Sequence, residues 1–262
     1  MKTYVINLDR RPDRLAFFRE QAAARRFDFE RIVAVDGTDP ALIARAATLP
    51  VGFTGHRRGP SHLACFESHR QVWRAILESG DPFGIVMEDD VVLAKDFSRL
   101  LSADWVPYDA DLVRLETYMM PTRLDRAPVG RVEGRAIRRM RSTMGGTGAY
   151  VIARPAAARL LQETEAIYEN IDAVLFDTRS PLFSSLRIYQ LIPAPAIQGH
   201  RLPQVRAQGW AESTLQTERT EDEGGPPPPP QGLRRFKFYW KAQYWLRRLK
   251  ARAQGRIDVP FG

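Results

Sequence analysis

Phe83-Gly84-Ile85-Val86-Met87-Glu88-Asp89-Asp90 is the stretch from which the architecture can be read. Its uncharged run, bounded by turn residues, predicts a central strand buried on both faces. Three acids follow at once, at what is then the carboxyl end of the strand, where open α/β sheets bind ligands. Adjacent carboxylates repel one another unless a cation is present, and their hard oxygens favour Mg²⁺ or Mn²⁺, ions able to bridge phosphates. The plainer alternative is an acidic turn in which Asp89 or Asp90 caps the next element.

Working outward, Gly80-Asp81-Pro82 stops a helix predicted over 60–79, with Leu63, Phe66, Val72, Trp73, Ile76 and Leu77 as its apolar positions. Upstream, 3–8 reads as a strand and 12–25 as a helix with Asp9 as its capping residue. A second strand, 29–35, ends in the turn Asp36-Gly37. Downstream, 112–115 and 149–152 read as strands and 155–164 as a helix. This alternation predicts an α/β domain with a mostly parallel central sheet.

The chain has 262 residues, 27% charged and 44% hydrophobic, enough for one large domain with an appendage or two small ones. Collagen-like, coiled-coil and wholly disordered classes are excluded. One cysteine, Cys65, excludes an intramolecular disulfide and a Cys-based zinc cage, and suits a reducing compartment. The opening apolar run is too short for a signal peptide, and no stretch of ~18 uncharged apolar residues exists, so a soluble cytoplasmic protein is expected.

The net charge of +8 is local: residues 232–262 hold nine Lys/Arg and one acid, which is the whole excess. A neutral body argues against a nucleic-acid cleft, and a basic end argues for an anionic surface. Five consecutive prolines, Pro226 to Pro230, favour a stiff extended spacer. The division expected is a body over 1–222, a Gly/Pro-rich linker over 223–232 and a basic aromatic tail over 233–262. As a helix, the tail places Arg234, Lys237, Lys241, Arg248 and Arg252 on one stripe, broadly opposite Phe236, Tyr239, Trp240, Gln243 and Leu246. Such a basic amphipathic helix over 233–252 suits a lipid headgroup region; packing of its aromatics on the body, or nucleic acid, are the alternatives.

A second candidate site is Asn7-Leu8-Asp9-Arg10-Arg11-Pro12-Asp13-Arg14, where arginines at the start of a helix could hold a diphosphate beside the helix amides. A solvated first turn with local ion pairs is the alternative. Gly145-Gly146-Thr147-Gly148 permits close backbone approach but is weak as a phosphate loop, because it precedes a strand. His69 lacks triad partners and reads as a core or capping histidine. Asp172, an acid in an apolar stretch, is a helix cap or an active-site carboxylate. Neither Gly-x-Ser-x-Gly nor His-Glu-x-x-His occurs.

Taken in order, these pieces resemble glycosyltransferase family 25. The resemblance is carried by Val5-Ile6-Asn7-Leu8-Asp9-Arg10-Arg11-Pro12-Asp13-Arg14, Ala34-Val35-Asp36-Gly37, Cys65-Phe66-Glu67-Ser68-His69 with Trp73, Glu88-Asp89-Asp90-Val91 and Gly148-Ala149-Tyr150-Val151-Ile152. It spans about residues 3 to 215. It implies a GT-A-type nucleotide-sugar-binding fold and inverting transfer of a sugar, galactose above all, from a UDP-sugar to a glycan or glycolipid such as lipooligosaccharide. It implies a nucleotide pocket lined by Asp9, Arg10, Arg11 and Asp36, beside Asn7, Arg14 and Glu88, and a Mn²⁺ or Mg²⁺ ion at Asp89 and Asp90. Gln198 and Asp172 match family positions, as does Ser213. His200 is added as a late metal ligand, because many such folds close their site with a C-terminal histidine. Asp172 is the expected general base, with Asp90 its rival. Where the family reads Gly-Glu-x-Gly-Cys, this chain has Ser61-His62-Leu63-Ala64-Cys65, so no role is carried over to that position. The tail then implies a peripheral enzyme on the inner face of the membrane. The alternatives are a metal-dependent nucleotidyl- or phosphotransferase, or an inactive sugar-nucleotide-binding module.

Overall fold

The computed structural model describes residues 1–165, 169–206 and 255–262. The chain opens with β1 (Lys2–Asn7), α1 (Pro12–Arg25), β2 (Glu30–Val33), α2 (Pro40–Thr48), α3 (Pro60–Ser79) and β3 (Phe83–Glu88). It continues through β4 (Val91–Leu93), β5 (Leu112–Arg114), β6 (Pro121–Thr122), β7 (Gly130–Val132), β8 (Arg135–Arg139) and β9 (Ala149–Ala153). After α4 (Arg154–Glu163) and α5 (Ile171–Phe176) come β10 (Ile188–Ile192), β11 (Ala196–Gln198), α6 (Pro203–Arg206) and β12 (Ile257–Asp258).

Among the described residues, eight strands form one sheet in the order β2-β1-β3-β9-β5-β10-β8-β7. Alternate residues of its central strands feed two cores. Tyr4, Ile6, Val86, Tyr150 and Ile152 pack with Trp73 and Ile76 of α3 and Leu160 of α4. Val5, Ile85, Met87 and Val151 pack with Phe18 of α1 and with Phe27 and Phe97. Both faces are covered, which is why the strand 83–88 reads as one apolar run.

The sheet is mixed rather than mostly parallel. β1 runs parallel to β2 and β3, and β5 to β10, but β9 is antiparallel to both β3 and β5, and β8 to β10 and β7. A strand buried on both faces is apolar whichever way it points, so Ala149–Ala153 carries no directional signal. Direction comes from the connection: only strands β6, β7 and β8 lie between β5 and β9, and a parallel return needs a crossover.

α3 starts with Pro60 in its first turn behind Gly59 and stops at Gly80, which takes φ 78°. α1 starts at Arg11 with no side-chain cap. Asp9 is therefore not the cap expected; its carboxylate takes Arg31 Nη2 at 2.6 Å instead. Residues 255–262 lie on the body. β12 pairs antiparallel with β6, Val259 is fully buried, and its carbonyl accepts the Thr117 hydroxyl at 2.5 Å. No helix among the described residues is long and apolar enough to cross a membrane. The basic helix expected over 233–252, the linker 223–232 and Ser213 lie outside the described residues.

Candidate active site

Asn7 ends β1 and Glu88 ends β3, and the two strands are parallel neighbours, so their carboxyl ends open side by side. A cleft of about 660 Å³, counted out to solvent, lies there. Glu88, Asp89 and Asp90 form one wall, Arg10 and Arg14 at the start of α1 another, and Ser61, Cys65 and His69 of α3 a third.

Asp89 and Asp90 are both buried. Asp89 accepts Asn7 Nδ2–H at 2.6 Å and Arg14 Nη1–H at 3.3 Å; Arg14 lies 3.7 Å from Asp90 Oδ2. Burial pushes Asp89 above the ordinary carboxylate range against the pull of Arg14 and Asn7. Burial, with the charges of Glu88 and Asp89 beside it, lifts Asp90 to about 7 although Arg14 opposes the shift. Asp90 Oδ1 is buried with no hydrogen-bond partner. Arg14 thus touches both acids, and the charge of Arg11 acts on them from farther off.

Glu88 is set differently. Burial acts to raise it, but the His69 ring, 3.5 Å away, and the Thr147 hydroxyl, donating at 2.8 Å, outweigh burial and hold it below the usual glutamate range. On its other side, Gln198 Nε2 approaches Glu88 Oε2 at 3.4 Å, and Tyr118 donates its hydroxyl to Gln198 Oε1 at 3.2 Å. β11 pairs with β4 so that Gln198 stands opposite Val91, and the Gly199 N–H donates to the Asp90 carbonyl at 2.8 Å. That bond ties the turn Gly199–Arg201, with His200 in it, to the acidic loop.

Not every expected residue meets here. Arg10 grips Asp36 through Nε at 2.8 Å and Nη2 at 3.3 Å, across the mouth of the cleft. Arg11 pairs with Asp13 through two hydrogen bonds, and Asp9 is exposed on Arg31; neither lines the cleft. Asp172 sits in the first turn of α5, where its Oδ2 accepts the Gly146 N–H at 3.1 Å. It lines a second, polar pocket of about 630 Å³ with Thr54, Arg58, Thr143, Asn170 and Asp177. The Gly145-Gly146 loop and Tyr118 stand between that pocket and Gln198.

Three neighbours of the site had no local sequence signal. Tyr118 is brought in by the topology alone. Arg114 is fully buried and donates to the carbonyls of Met144, at 3.2 Å, and Gly145, holding the glycine loop in place. Glu116, also fully buried, accepts the Gly148 N–H at 2.9 Å.

The family model described as glycosyltransferase family 25 (LPS biosynthesis protein) matches residues 1–175. Lacto-N-neotetraose biosynthesis glycosyltransferase LgtE of Neisseria meningitidis serogroup B (strain ATCC BAA-335 / MC58) is 29% identical over 207 residues, 76% of this chain and 74% of that protein. LgtB of Neisseria meningitidis serogroup A / serotype 4A (strain DSM 15465 / Z2491) is 31% identical over 163 residues, 60% of this chain and 58% of that protein. Among solved structures, galactosyltransferase LgtC in complex with donor and acceptor sugar analogs aligns over 89% of this chain and 99% of that one, at 14% identity and a TM-score of 0.38. With the family model covering most of its length, the chain belongs to glycosyltransferase family 25 and is a glycosyltransferase.

Proposed function

We propose that this enzyme moves a sugar, galactose by family expectation, from a UDP-sugar to a cell-surface glycan of the lipooligosaccharide class, with inversion. One observation carries the proposal: three carboxylates and two arginines converge on one cleft outside the carboxyl ends of β1 and β3. The acceptor class is supported by relatives named for lacto-N-neotetraose biosynthesis. Donor, inversion and GT-A type come from the family resemblance.

This reading puts a hard divalent cation, Mn²⁺ or Mg²⁺, at the acidic loop. Asp90 offers a buried oxygen with no hydrogen-bond partner, and its flanking donors are carboxylates too. Asp89 and Asp90 would hold the ion, with His200 as the further candidate on the turn tied to Asp90. When bound, it offsets charge on the departing diphosphate. Arg14 and Arg10 serve the same end from the start of α1, Arg10 exchanging its pairing with Asp36 for phosphate oxygens. Asn7 positions Asp89, and Gln198 positions Glu88. Asp172, the expected base, faces the polar pocket behind the glycine loop, so it serves the cleft by holding the Gly146 N–H, and that pocket is a candidate seat for the acceptor. Residues 233–252 keep the protein on an anionic inner membrane face, where a lipid-borne acceptor is found.

The test is product analysis with UDP-sugars, an oligosaccharide acceptor and Mn²⁺. Release of UDP with a lengthened glycan is expected, and Asp90→Asn should lower kcat/KM by at least about 100-fold while melting normally. Pyrophosphate or a phosphorylated product would replace the proposal with a nucleotidyl- or phosphotransferase. Binding of the sugar nucleotide without turnover would leave a binding module.

A further inference from the structure

Cys65 and His69 stand four residues apart on α3 and so share one helix face. That face fronts the end of β3, where Glu88 emerges. A sulfur, a ring nitrogen and a carboxylate oxygen from these three residues all lie within 4.8 Å of one another, and all three residues line the cleft. The histidine is held in place. Its ring is fully buried and stacks on Tyr150 with centroids 5.7 Å apart, and Nδ1 is 2.9 Å from the Tyr150 hydroxyl, which also accepts the Trp73 indole N–H at 2.9 Å. The remaining nitrogen, Nε2, is buried without a hydrogen bond and faces Glu88 Oε1 at 3.5 Å. A ring so fixed, with one nitrogen engaged by an outer partner and the other aimed at a carboxylate and a thiol, has the arrangement of a metal-ligating histidine.

We propose that Cys65 Sγ, His69 Nε2 and the Glu88 carboxylate form a site for a borderline-soft divalent cation of the zinc class, separate from the oxygen-only pair Asp89 and Asp90. A thiolate and an imidazole select such ions over Mg²⁺, whose preferred ligands are oxygens. Tetrahedral bonds of about 2.0–2.1 Å to nitrogen and oxygen and about 2.3 Å to sulfur separate the ligand atoms by roughly 3.3–3.6 Å. The histidine–glutamate spacing, 3.5 Å, already meets that, and the sulfur must close by at most about 1.5 Å. One cysteine cannot build a Cys-based cage, but it completes a mixed three-ligand set whose fourth position opens on the cleft. Loading releases the thiol proton. In the loaded site Nε2 carries no hydrogen, and the Nδ1–H donates to the Tyr150 oxygen. This site does not depend on which sugar nucleotide the cleft takes, so its test uses metal alone.

The full chain is titrated with Co²⁺, and the spectrum is followed. Expected are a near-ultraviolet sulfur-to-cobalt charge-transfer band and visible bands of a tetrahedral ion, saturating at one equivalent and bleached by Zn²⁺ but not by excess Mg²⁺. Cys65→Ser, nearly isosteric, should abolish the charge-transfer band, and His69→Gln should weaken binding by at least about tenfold. The double variant Asp89→Asn/Asp90→Asn should keep the band while losing transfer, which separates this proposal from the previous one. If His69→Gln does not fold, Cys65→Ser alone decides. Absence of the band in the unaltered protein, its survival in Cys65→Ser, or its loss to Mg²⁺ overturns the proposal.

Discussion

Glu116 is a residue whose protonation the fold dictates. Its carboxyl is fully buried behind the acidic loop, and burial lifts it to about 8, above the 4.5 of a free glutamate, despite Arg114 beside it. The unfolded chain loses this proton near pH 4.5 and the folded protein only near 8, so between those values folding is coupled to proton uptake. Its stability contribution is therefore full below pH 4.5 and is lost as the pH rises through 8, at up to about 1.4 kcal/mol per pH unit. Glu116→Gln keeps an acceptor for the Gly148 N–H without the titration. Urea melts at pH 5.5 and 8.5 should show the unaltered protein losing more stability than Glu116→Gln, and parallel losses would contradict the assignment. The same desolvation acts on Asp90, and each carboxyl has one oxygen without a hydrogen-bond partner, but Asp90 lines the cleft, where its charge is available to a cation.

At the scale of elements, the loop 145–148 and β11 assemble the site. Gly146 takes φ 89°, and a Cβ there would stand 2.5 to 2.7 Å from the Tyr118 ring. Gly146→Ala should cost about 1–3 kcal/mol and push Tyr118 off Gln198, lowering transfer as well as the urea midpoint. A variant as stable and as active as the parent would show that the tyrosine is a bystander. The helices α1 and α3 were legible to the residue: proline marks both first turns and Gly80 marks the end of α3, whereas Arg26, left-handed at the end of α1, carries no such sequence signal. α2 went unread although Asp39 caps it, accepting the Ala41 N–H at 2.8 Å. The acids after β3 were legible because an apolar run breaks into charge there. The link from Tyr118 through Gln198 to Glu88 was not, since the partners lie 80 and 110 positions apart and meet only through sheet order. His69 read as a core or capping histidine. It is the former by burial, yet its free-facing nitrogen points into the cleft, which no spacing reveals.

For the whole molecule, the charge asymmetry defines the experiment. Exchanging the Lys/Arg of 233–252 for glutamine should abolish binding to anionic vesicles, leave neutral vesicles unaffected and preserve transfer to a soluble acceptor. Equal vesicle binding by the exchanged protein would remove the membrane role. Exchange is the better test than truncation, because cutting the chain at 223 also removes Val259 from its buried seat and the Thr117 bond with it. That seat has a geometric consequence. Arg252 precedes Gly255, a residue already on the body, by three positions, a span of at most about 10 Å. If the proposed membrane contact runs through this arginine, it would draw the β6–β12 edge down with it. Thr117 and Tyr118 are chain neighbours there, so under that proposal the glycine-loop side of the cleft would face the lipid, and a headgroup-borne sugar would have a short climb to reach it.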